Sequence, residues 1–323
     1  MKNLRVYISG VSGIVGYGII KNLRAAYPEI RIYGSALDEF NIGAHIVDEF
    51  QICPRTESDT YLPWLTSFLN ENEIDFAIPG IDIDLHIWNA NRDIFSRLNC
   101  VPVLNEKKLI TATRDKYEFY LEVEKFNFAH TIPTHIDKSY NELCEIFGTN
   151  KLIAKPKIGF AKKGFFEIDS DSDFTLATGS NIENLIFQPN LASDGFEYTS
   201  SVFGDGRGDF SCIINLRRRL APEGFTMYAE GFTSLVITDV IREYCRIFSP
   251  LGPTNFQFMA IENKFFLLEI NPRFSSSTSM RRILGYNESK MVLDFYVDGK
   301  LPEQPIVKSG SVLRYIEDFY VHG

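Results

Sequence analysis

Short apolar runs alternate with amphipathic stretches over the first hundred residues of the chain. Three of the apolar runs predict buried strands, at Arg5–Ser9, Arg31–Ala36 and Asp75–Pro79. A glycine loop at Gly10–Gly18 leads from the first strand into a helix, and a second helix is predicted at Tyr61–Asn70. Because strands that alternate with helices build a doubly wound parallel sheet, the predicted fold class of this part is α/β.

The pattern changes further along the chain. A short strand at Val101–Asn105 precedes a helical stretch that contains Asp115 and Lys116. From about Thr131 strands separated by short turns predominate, which is typical of an α+β arrangement. The predicted strands are Leu152–Lys155, Gly164–Ile168, Leu185–Gln188, Phe196–Phe203 and Phe210–Leu216. The predicted helices are Thr238–Phe248, Ser277–Leu284 and Glu288–Val297.

Two apolar arms near the C-terminus predict a β-hairpin. Thr254–Met259 and Phe265–Arg273 are both rich in aromatic and aliphatic residues, and residues 262–264 join them. A three-residue loop of this kind places Gln257 directly across from Glu269. The alternation of side chains along a strand then puts Asn271 on the same face as Glu269.

Gln257, Glu269 and Asn271 are three oxygen-bearing side chains in an otherwise apolar hairpin. Oxygen ligands with a single full negative charge suit a magnesium ion that is also held by phosphates. Arg273, just beyond, would face an anion on the same ions. The alternative is that Glu269 and Arg273 form an ordinary ion pair at a strand end, but burying the amide groups beside them gains nothing unless they are satisfied.

Three other segments contain groups that suit a nucleotide. The loop from Lys155 to Gly164 combines glycines with lysines, as a triphosphate site requires, although a solvated basic turn has the same composition. The segment Phe187–Glu197 bends through a proline and could offer an adenine hinge and a ribose acceptor, or be a plain hairpin with an acidic rim. Alternation sends Arg217 and Arg219 to one face of a strand end and Arg218 to the other, to bind an anion or to protect a sheet edge.

Composition narrows the function classes. The chain has 323 residues, enough for two or three subdomains, and its net charge of −9 disfavours a nucleic-acid partner. No apolar run approaches about 18 residues, so no membrane span is expected. The five cysteines are scattered without a C-x-x-C pair, which favours reduced thiols and a cytoplasmic location.

These features, in this order, resemble the ATP-grasp superfamily, and in particular single-module relatives of the carbamoyl-phosphate synthetase large subunit. The resemblance covers nearly the whole chain. It implies a Rossmann-like pre-ATP-grasp domain at residues 1–110, followed by the two lobes of an ATP-grasp fold. The small lobe would comprise residues 111–190, and the large lobe, with the metal site, residues 191–323.

The resemblance also implies roles for individual residues. Phosphate-binding and glycine-loop positions match Lys116, Lys155, Gly159, Lys163 and Gly164. Adenine and ribose positions match Gln188, Asn190, Leu191 and Glu197. The magnesium positions match Gln257, Glu269 and Asn271, and the positions that face the acyl phosphate match Arg217, Arg219 and Arg273.

The implied activity is that of an ATP-dependent carboxylate–amine ligase. ATP and Mg²⁺, with Mn²⁺ as an alternative ion, would be the cofactors, small-molecule carboxylates and amines the substrates, and a homodimer the assembly. One alternative is an ATP-binding regulatory module without turnover. Another is an NAD(P)-dependent oxidoreductase, because Gly10-x-x-Gly13-x-x-Gly16 follows a strand and Tyr286-x-x-x-Lys290 has the spacing of short-chain dehydrogenases.

Overall fold

Three separate sheets organise the chain in the computed structural model, which describes residues 4–159, 164–179, 181–191, 195–261 and 264–321. The first sheet is parallel throughout, in the order β3-β2-β1-β4-β5. Its strands are β1 (Arg5–Ile8), β2 (Arg31–Ala36), β3 (Glu49–Ile52), β4 (Phe76–Ile78) and β5 (Val101–Pro102). The helices around it are α1 (Ile14–Ala26), α2 (Gly43–Ile46), α3 (Tyr61–Glu71), α4 (Asp82–Ala90) and α5 (Arg92–Arg97). The predicted doubly wound sheet is confirmed; β3 was missed because its residues are mostly exposed and show no apolar run.

The middle part of the sequence forms a small antiparallel sheet in the order β7-β6-β8. Its strands are β6 (Leu152–Pro156), β7 (Phe166–Ile168) and β8 (Leu185–Pro189). The nearby helices are α6 (Lys107–Ala112), α7 (Lys116–Glu124), α8 (Tyr140–Phe147) and α9 (Asp171–Thr178). Asp115 was predicted inside a helix, but it is the N-cap of α7, where its carboxylate accepts from the backbone N–H groups of Tyr117 and Glu118.

The largest sheet has the order β13-β12-β9-β10-β11-β14, with every neighbouring pair antiparallel. Its strands are β9 (Glu197–Asp205), β10 (Phe210–Leu220), β11 (Thr226–Phe232), β12 (Leu251–Ile261), β13 (Lys264–Asn271) and β14 (Ser311–Leu313). The helices are α10 (Leu235–Phe248), α11 (Thr278–Ile283) and α12 (Glu288–Asp298). Strand β10 is longer than predicted, so the three arginines 217–219 lie within the strand and not at its end.

Each face of the large sheet is covered differently. Helix α10 packs its apolar face, including Val240 and Ile241, against Phe256 and Phe258 of β12. On the opposite face, Phe203 and Leu216 share a core with α11, α12 and the N-terminal sheet. Strand alternation assigns the odd-numbered polar residues of β12 and β13 to this second face.

The hairpin of β12 and β13 has a different turn from the one predicted. Ile261 already pairs with Lys264, so the connection is the two residues 262–263, and Lys264 belongs to the strand. A β-bulge then shifts the register, since Phe258 pairs with Leu267 and Gln257 with Glu269. The predicted pairing of Gln257 with Glu269 is therefore confirmed, because the bulge compensates for the shorter loop. No helix among the described residues is long and apolar enough to cross a membrane.

Candidate functional site

A row of polar side chains lies at the end of the β12–β13 hairpin. Gln257 and Glu269 are directly paired across the two strands. Asn271 donates from Nδ2 to Glu269 Oε1 at 2.9 Å, so these two side chains are in contact. All three are only partly buried, and their oxygens are within reach of a ligand from solvent.

Arg218 joins this row from β10. Its Nη2 donates to Gln257 Oε1 at 2.8 Å and to Glu197 Oε2 at 2.9 Å, and its Nη1 donates to Thr226 Oγ1 at 3.2 Å. The side chain is 2 % exposed. Burial lowers the pKa of Arg218, whereas the Glu197 carboxylate acts in the opposite direction. Glu197, assigned to the ribose by resemblance, is therefore linked through Arg218 to the predicted metal row.

Arg217 and Arg219 point the other way, as the alternation predicts. Their guanidinium carbons lie 3.5 and 4.4 Å from the centre of the Phe196 ring. The sequence predicted that Arg217 and Arg219 bind the acyl phosphate. In the structure, Arg218 is the arginine of this group that contacts Gln257. Side-chain alternation along the strand correctly separated Arg218 from Arg217 and Arg219. It could not show which of the two faces lies toward the β12–β13 hairpin.

Two lysines from different elements approach the same row. Burial lowers the pKa of Lys155 to about 8, with Lys116 contributing in the same direction and Glu269 opposing it. Burial also lowers the pKa of Lys116, and Glu269 again opposes the shift. Among the described residues neither lysine forms a close ion pair with Glu269. Glu269 thus acts on both ammonium groups, and an added anion would favour the charged form of both.

Lys116 also fixes the start of the glycine loop. Its Nζ donates to the carbonyl of Gly159 at 2.9 Å, and its backbone N–H donates to the carbonyl of Lys157 at 2.9 Å. Gly164 ends the loop with φ +70°, and a Cβ there would lie 2.9 Å from Cγ of Pro156, so a side chain would be strained. Lys163, predicted to bind phosphate, lies outside the described residues.

The predicted adenine hinge begins with a buried, half-satisfied amide. Gln188 Nε2 donates to Thr134 Oγ1 at 2.8 Å. Gln188 Oε1 is buried and has no hydrogen-bond partner within the part of the chain described. Asn190 is anchored through its backbone N–H to Lys151, and Leu191 is the last described residue before 195. An exocyclic amine of a base could satisfy the orphaned oxygen.

Arg273 is held by Asp82, which follows a strand of the N-terminal sheet. Its Nη2 donates to Asp82 Oδ2 at 2.6 Å, and its Nε donates to Asp82 Oδ1. Burial alone would raise the pKa of Asp82, but the charge and hydrogen bonds of Arg273 outweigh it and hold that pKa below its ordinary value. Asp82 is the first residue of α4, directly after the loop that follows β4. The site is thus built from two sheets that are far apart in sequence.

A second charged cluster, missed from the sequence, lies beneath the row. Arg281 Nη1 donates to Glu288 Oε1 at 2.8 Å, and Arg281 also bonds Thr199 and Asn255. Thr278 Oγ1 donates to Glu288 Oε2 at 2.6 Å. Arg281 and Glu288 are 0 % and 1 % exposed, so this pair is sealed from solvent.

The oxygen set fits a magnesium ion that is completed by phosphates. No group of three His, Cys, Asp or Glu side chains that could hold a metal occurs among the described residues. The row instead offers one carboxylate and two amide oxygens, too little charge for a closed protein cage but suitable for an ion shared with a nucleotide. The Gln257 oxygen has two lone pairs, and Arg218 uses one of them.

The features that suggested a dehydrogenase do not form a site. Tyr286 is fully buried, and Lys290 bonds Asp294, so the tyrosine–lysine pair has no shared access to a cofactor. A dinucleotide site would also need an acidic residue near the end of β2 to accept from a ribose. Asp38 lies just beyond β2, and its carboxylate accepts from the backbone N–H of Phe40. The oxidoreductase hypothesis therefore has no support.

No protein-family model matches the sequence, and no curated protein matches it. Solved structures do. N5-carboxyaminoimidazole synthetase from Staphylococcus aureus, in complex with ADP, matches with a TM-score of 0.72 at 14 % identity over 94 % of this chain and 80 % of that one. Biotin carboxylase from Campylobacter jejuni, in a beta-gamma-ATP complex, gives 0.72 at 14 % over 96 % and 75 %. L-amino acid ligase from Bacillus licheniformis gives 0.67 at 14 % over 91 % and 74 %. At these identities the likeness shows the fold: this chain, with its parallel N-terminal sheet and two antiparallel sheets, has the ATP-grasp fold.

Proposed function

We propose that this protein is an ATP-dependent carboxylate–amine ligase that requires Mg²⁺. The observation that supports the proposal most directly is the row of oxygen ligands formed by Gln257, Glu269 and Asn271, to which the Arg218 guanidinium is hydrogen-bonded. Burial disfavours the charged forms of Lys116 and Lys155 beside this row, and a bound polyphosphate would favour them. Neighbours of the same fold were solved with ADP and with MgADP, which supports a magnesium-bound nucleotide as the ligand.

The nucleotide would lie between the small and the large antiparallel sheets. Gln188 would accept from the adenine amine, and Glu197 would accept from the ribose hydroxyls while it remains paired with Arg218. Lys116 and Lys155 would hold the phosphates. Glu269, Asn271 and Gln257 would hold Mg²⁺, which supplies neutralisation of the β- and γ-phosphate charge when bound.

The chemistry consists of two displacements at a site that mainly aligns charges. A substrate carboxylate attacks the γ-phosphorus of ATP, which yields an acyl phosphate and ADP. The amine then attacks the acyl carbon, phosphate leaves, and the amine loses a proton. Arg218, and Arg273 once its donors are free, would stabilise the phosphoryl oxygens. Contacts of Arg217 and Arg219 with the acyl group stay a prediction. Both side chains lie on the face of β10 opposite to Arg218, so they would have to extend past the strand to contact that group.

The experiment is to measure ADP and phosphate release from Mg-ATP against a panel of amino acids, alone and in pairs. Release that needs both a carboxylate and an amine would establish the ligase. ATP binding without stimulated release would favour the regulatory module. Absence of ATP binding would overturn the proposal. Repeating the assay with Mn²⁺ tests the metal preference, and light scattering of the purified chain tests the homodimer.

A further inference from the structure

Four of the five N–H donors of Arg273 are occupied in this structure. Nε bonds Asp82 Oδ1, while Nη2 donates to Asp82 Oδ2 at 2.6 Å and to Asn271 Oδ1 at 3.3 Å. Nη1 donates to the carbonyl of Phe274 at 2.7 Å. A guanidinium has five donors in a planar fork, so one remains for any other partner. A phosphoryl group that needs two parallel donors from Arg273 therefore finds them taken by Asp82.

Asp82 is placed so that a ligand could reach it. Its side chain is 30 % exposed, whereas that of Arg273 is 14 % exposed. Among the described residues, Arg273 is the side chain that donates hydrogen bonds to the Asp82 carboxylate. The loop before it is firmly seated, because a Cβ on Gly80 would lie 2.1 Å from the carbonyl oxygen of Ser9. The Asp82 side chain thus extends from a closely packed backbone at the border between the N-terminal sheet and the proposed nucleotide site.

We propose that Asp82 holds Arg273 away from the phosphoryl group until a positively charged amine substrate binds Asp82, and we call this contact the latch. The inference rests on the proposed function and adds its regulation. Without the amine, Asp82 neutralises Arg273 and occupies its paired donors. An ammonium group has three donors and no acceptor, so it competes with Arg273 for the same carboxylate. Once Asp82 turns to the ammonium, the Nε and Nη2 donors of Arg273 become available to the transferring phosphoryl group.

The latch would couple ATP use to the presence of the amine. An acyl phosphate formed without an amine would be lost to water, so restraining Arg273 until the amine arrives avoids wasted ATP. The coupling is reciprocal, since an anion on Arg273 must raise the affinity of the amine by the same factor as the amine raises the affinity of the anion.

The test compares the wild type with Asp82→Asn, which keeps the shape of the side chain and removes its charge. Inorganic phosphate is titrated calorimetrically, with and without MgADP, and ADP release from Mg-ATP is measured without any amine. In the variant we expect phosphate to bind about tenfold more tightly and amine-independent ADP release to rise about tenfold, within the usual range of coupling between sites. Asp93→Asn is the control, because it removes an exposed carboxylate paired with Arg97 elsewhere in the same domain.

A second measurement uses the wild type alone, in case Asp82→Asn does not fold. Methylammonium chloride should tighten phosphate binding relative to sodium chloride at equal ionic strength. Equal effects of the two salts, or a folded Asp82→Asn with unchanged phosphate affinity and ADP release, would refute the latch and leave the ligase proposal standing. A wild type that binds phosphate in a methylammonium-dependent way but neither binds nor hydrolyses ATP would refute the ligase instead.

Discussion

The second face of the large sheet contains two charged clusters that differ in whether their charges form close ion pairs. In the sealed cluster, Arg281 and Glu288 bond each other and the surrounding hydroxyls and amides, and both are almost fully buried. In the site cluster, burial disfavours the charged forms of Lys155 and Lys116, and neither forms a close ion pair with Glu269 among the described residues. Charges that are satisfied internally define structure, whereas charges left partly uncompensated indicate where a ligand supplies the missing partner.

The largest effect is expected in the sealed cluster. Glu288→Gln leaves the Arg281 guanidinium as an unpaired buried charge, so the free energy of unfolding should fall by about 3–5 kcal/mol. Urea denaturation followed by circular dichroism measures this. The control is Glu73→Gln, since Glu73 pairs with Arg5 at the surface with its own side chain 76 % exposed. Equal stability losses in both variants would show that the sealed cluster is not special.

In the site cluster the expected loss is of function and not of fold. Glu269→Gln removes the only carboxylate of the oxygen row, so ATP turnover should fall about a hundred- to a thousandfold, as when one charge-stabilising group is removed from an active site. Thermal unfolding should change little. Glu243→Gln, on helix α10 against the opposite face of the sheet, is the matched variant and should keep full turnover. Near-normal turnover of Glu269→Gln would remove this residue from the metal site.

Replacing a site lysine should separate stability from binding most clearly. Lys155→Met removes a charge that burial and Lys116 both disfavour, so the melting temperature should rise while MgADP affinity falls about tenfold. Differential scanning fluorimetry and calorimetric titration measure the two quantities on one preparation. Lys151→Met, at the exposed start of the same segment, should change neither. A Lys155→Met variant that is less stable would mean that Lys155 is already compensated in the free protein.

The sequence predicted the parts of the fold that depend on local patterns. The strand–helix alternation was sufficient for the parallel sheet, and the polar pair Gln257 and Glu269 was placed correctly although the loop was not. The bulge at Leu268 could not be foreseen, because it is a property of the pairing of β12 with β13, and β12 pairs with β9 past the same residues without a shift. Helix α10 begins at Leu235 and not at Thr238, since Ser234 caps it through the backbone N–H of Ile237.

What the sequence could not provide was which residues from distant elements meet. Arg273 and Asp82 are 191 positions apart, and their bond depends on how the N-terminal sheet docks against the large one. Arg218 was passed over for the same reason, because alternation gives two faces but does not say which of them a neighbouring strand turns toward the site. The sealed pair of Arg281 and Glu288 lies in two short helices whose relative orientation has no local signal.

The smallest expected effect is the pH dependence of MgADP binding. It tests the comparison of the two clusters on the wild-type protein, without a substitution in the site cluster. The pKa of Lys155 is about 8 in the free protein, against an ordinary value of 10.5. Bound phosphates favour the ammonium form and raise that pKa, so MgADP binding between about pH 8 and pH 10 should take up a proton and weaken as pH rises. The free energy of unfolding should instead increase as pH rises. Between pH 8 and pH 10.5 the unfolded chain binds more protons at Lys155 than the folded chain does, so the contribution of Lys155 to stability increases with pH.

Calorimetry at pH 8.5 in two buffers with different ionisation enthalpies measures the proton uptake directly. Lys155→Arg is the informative variant, because arginine stays charged over this range and should lose most of the uptake while it keeps a cation at the phosphates. The pKa of Lys116 is also lowered by burial, so a residual uptake in Lys155→Arg should disappear when Lys116→Arg is added. If the wild type takes up no proton, the ammonium groups are already compensated without a nucleotide. The site cluster would then be as self-contained as the sealed one, and the distinction between the two clusters would fail.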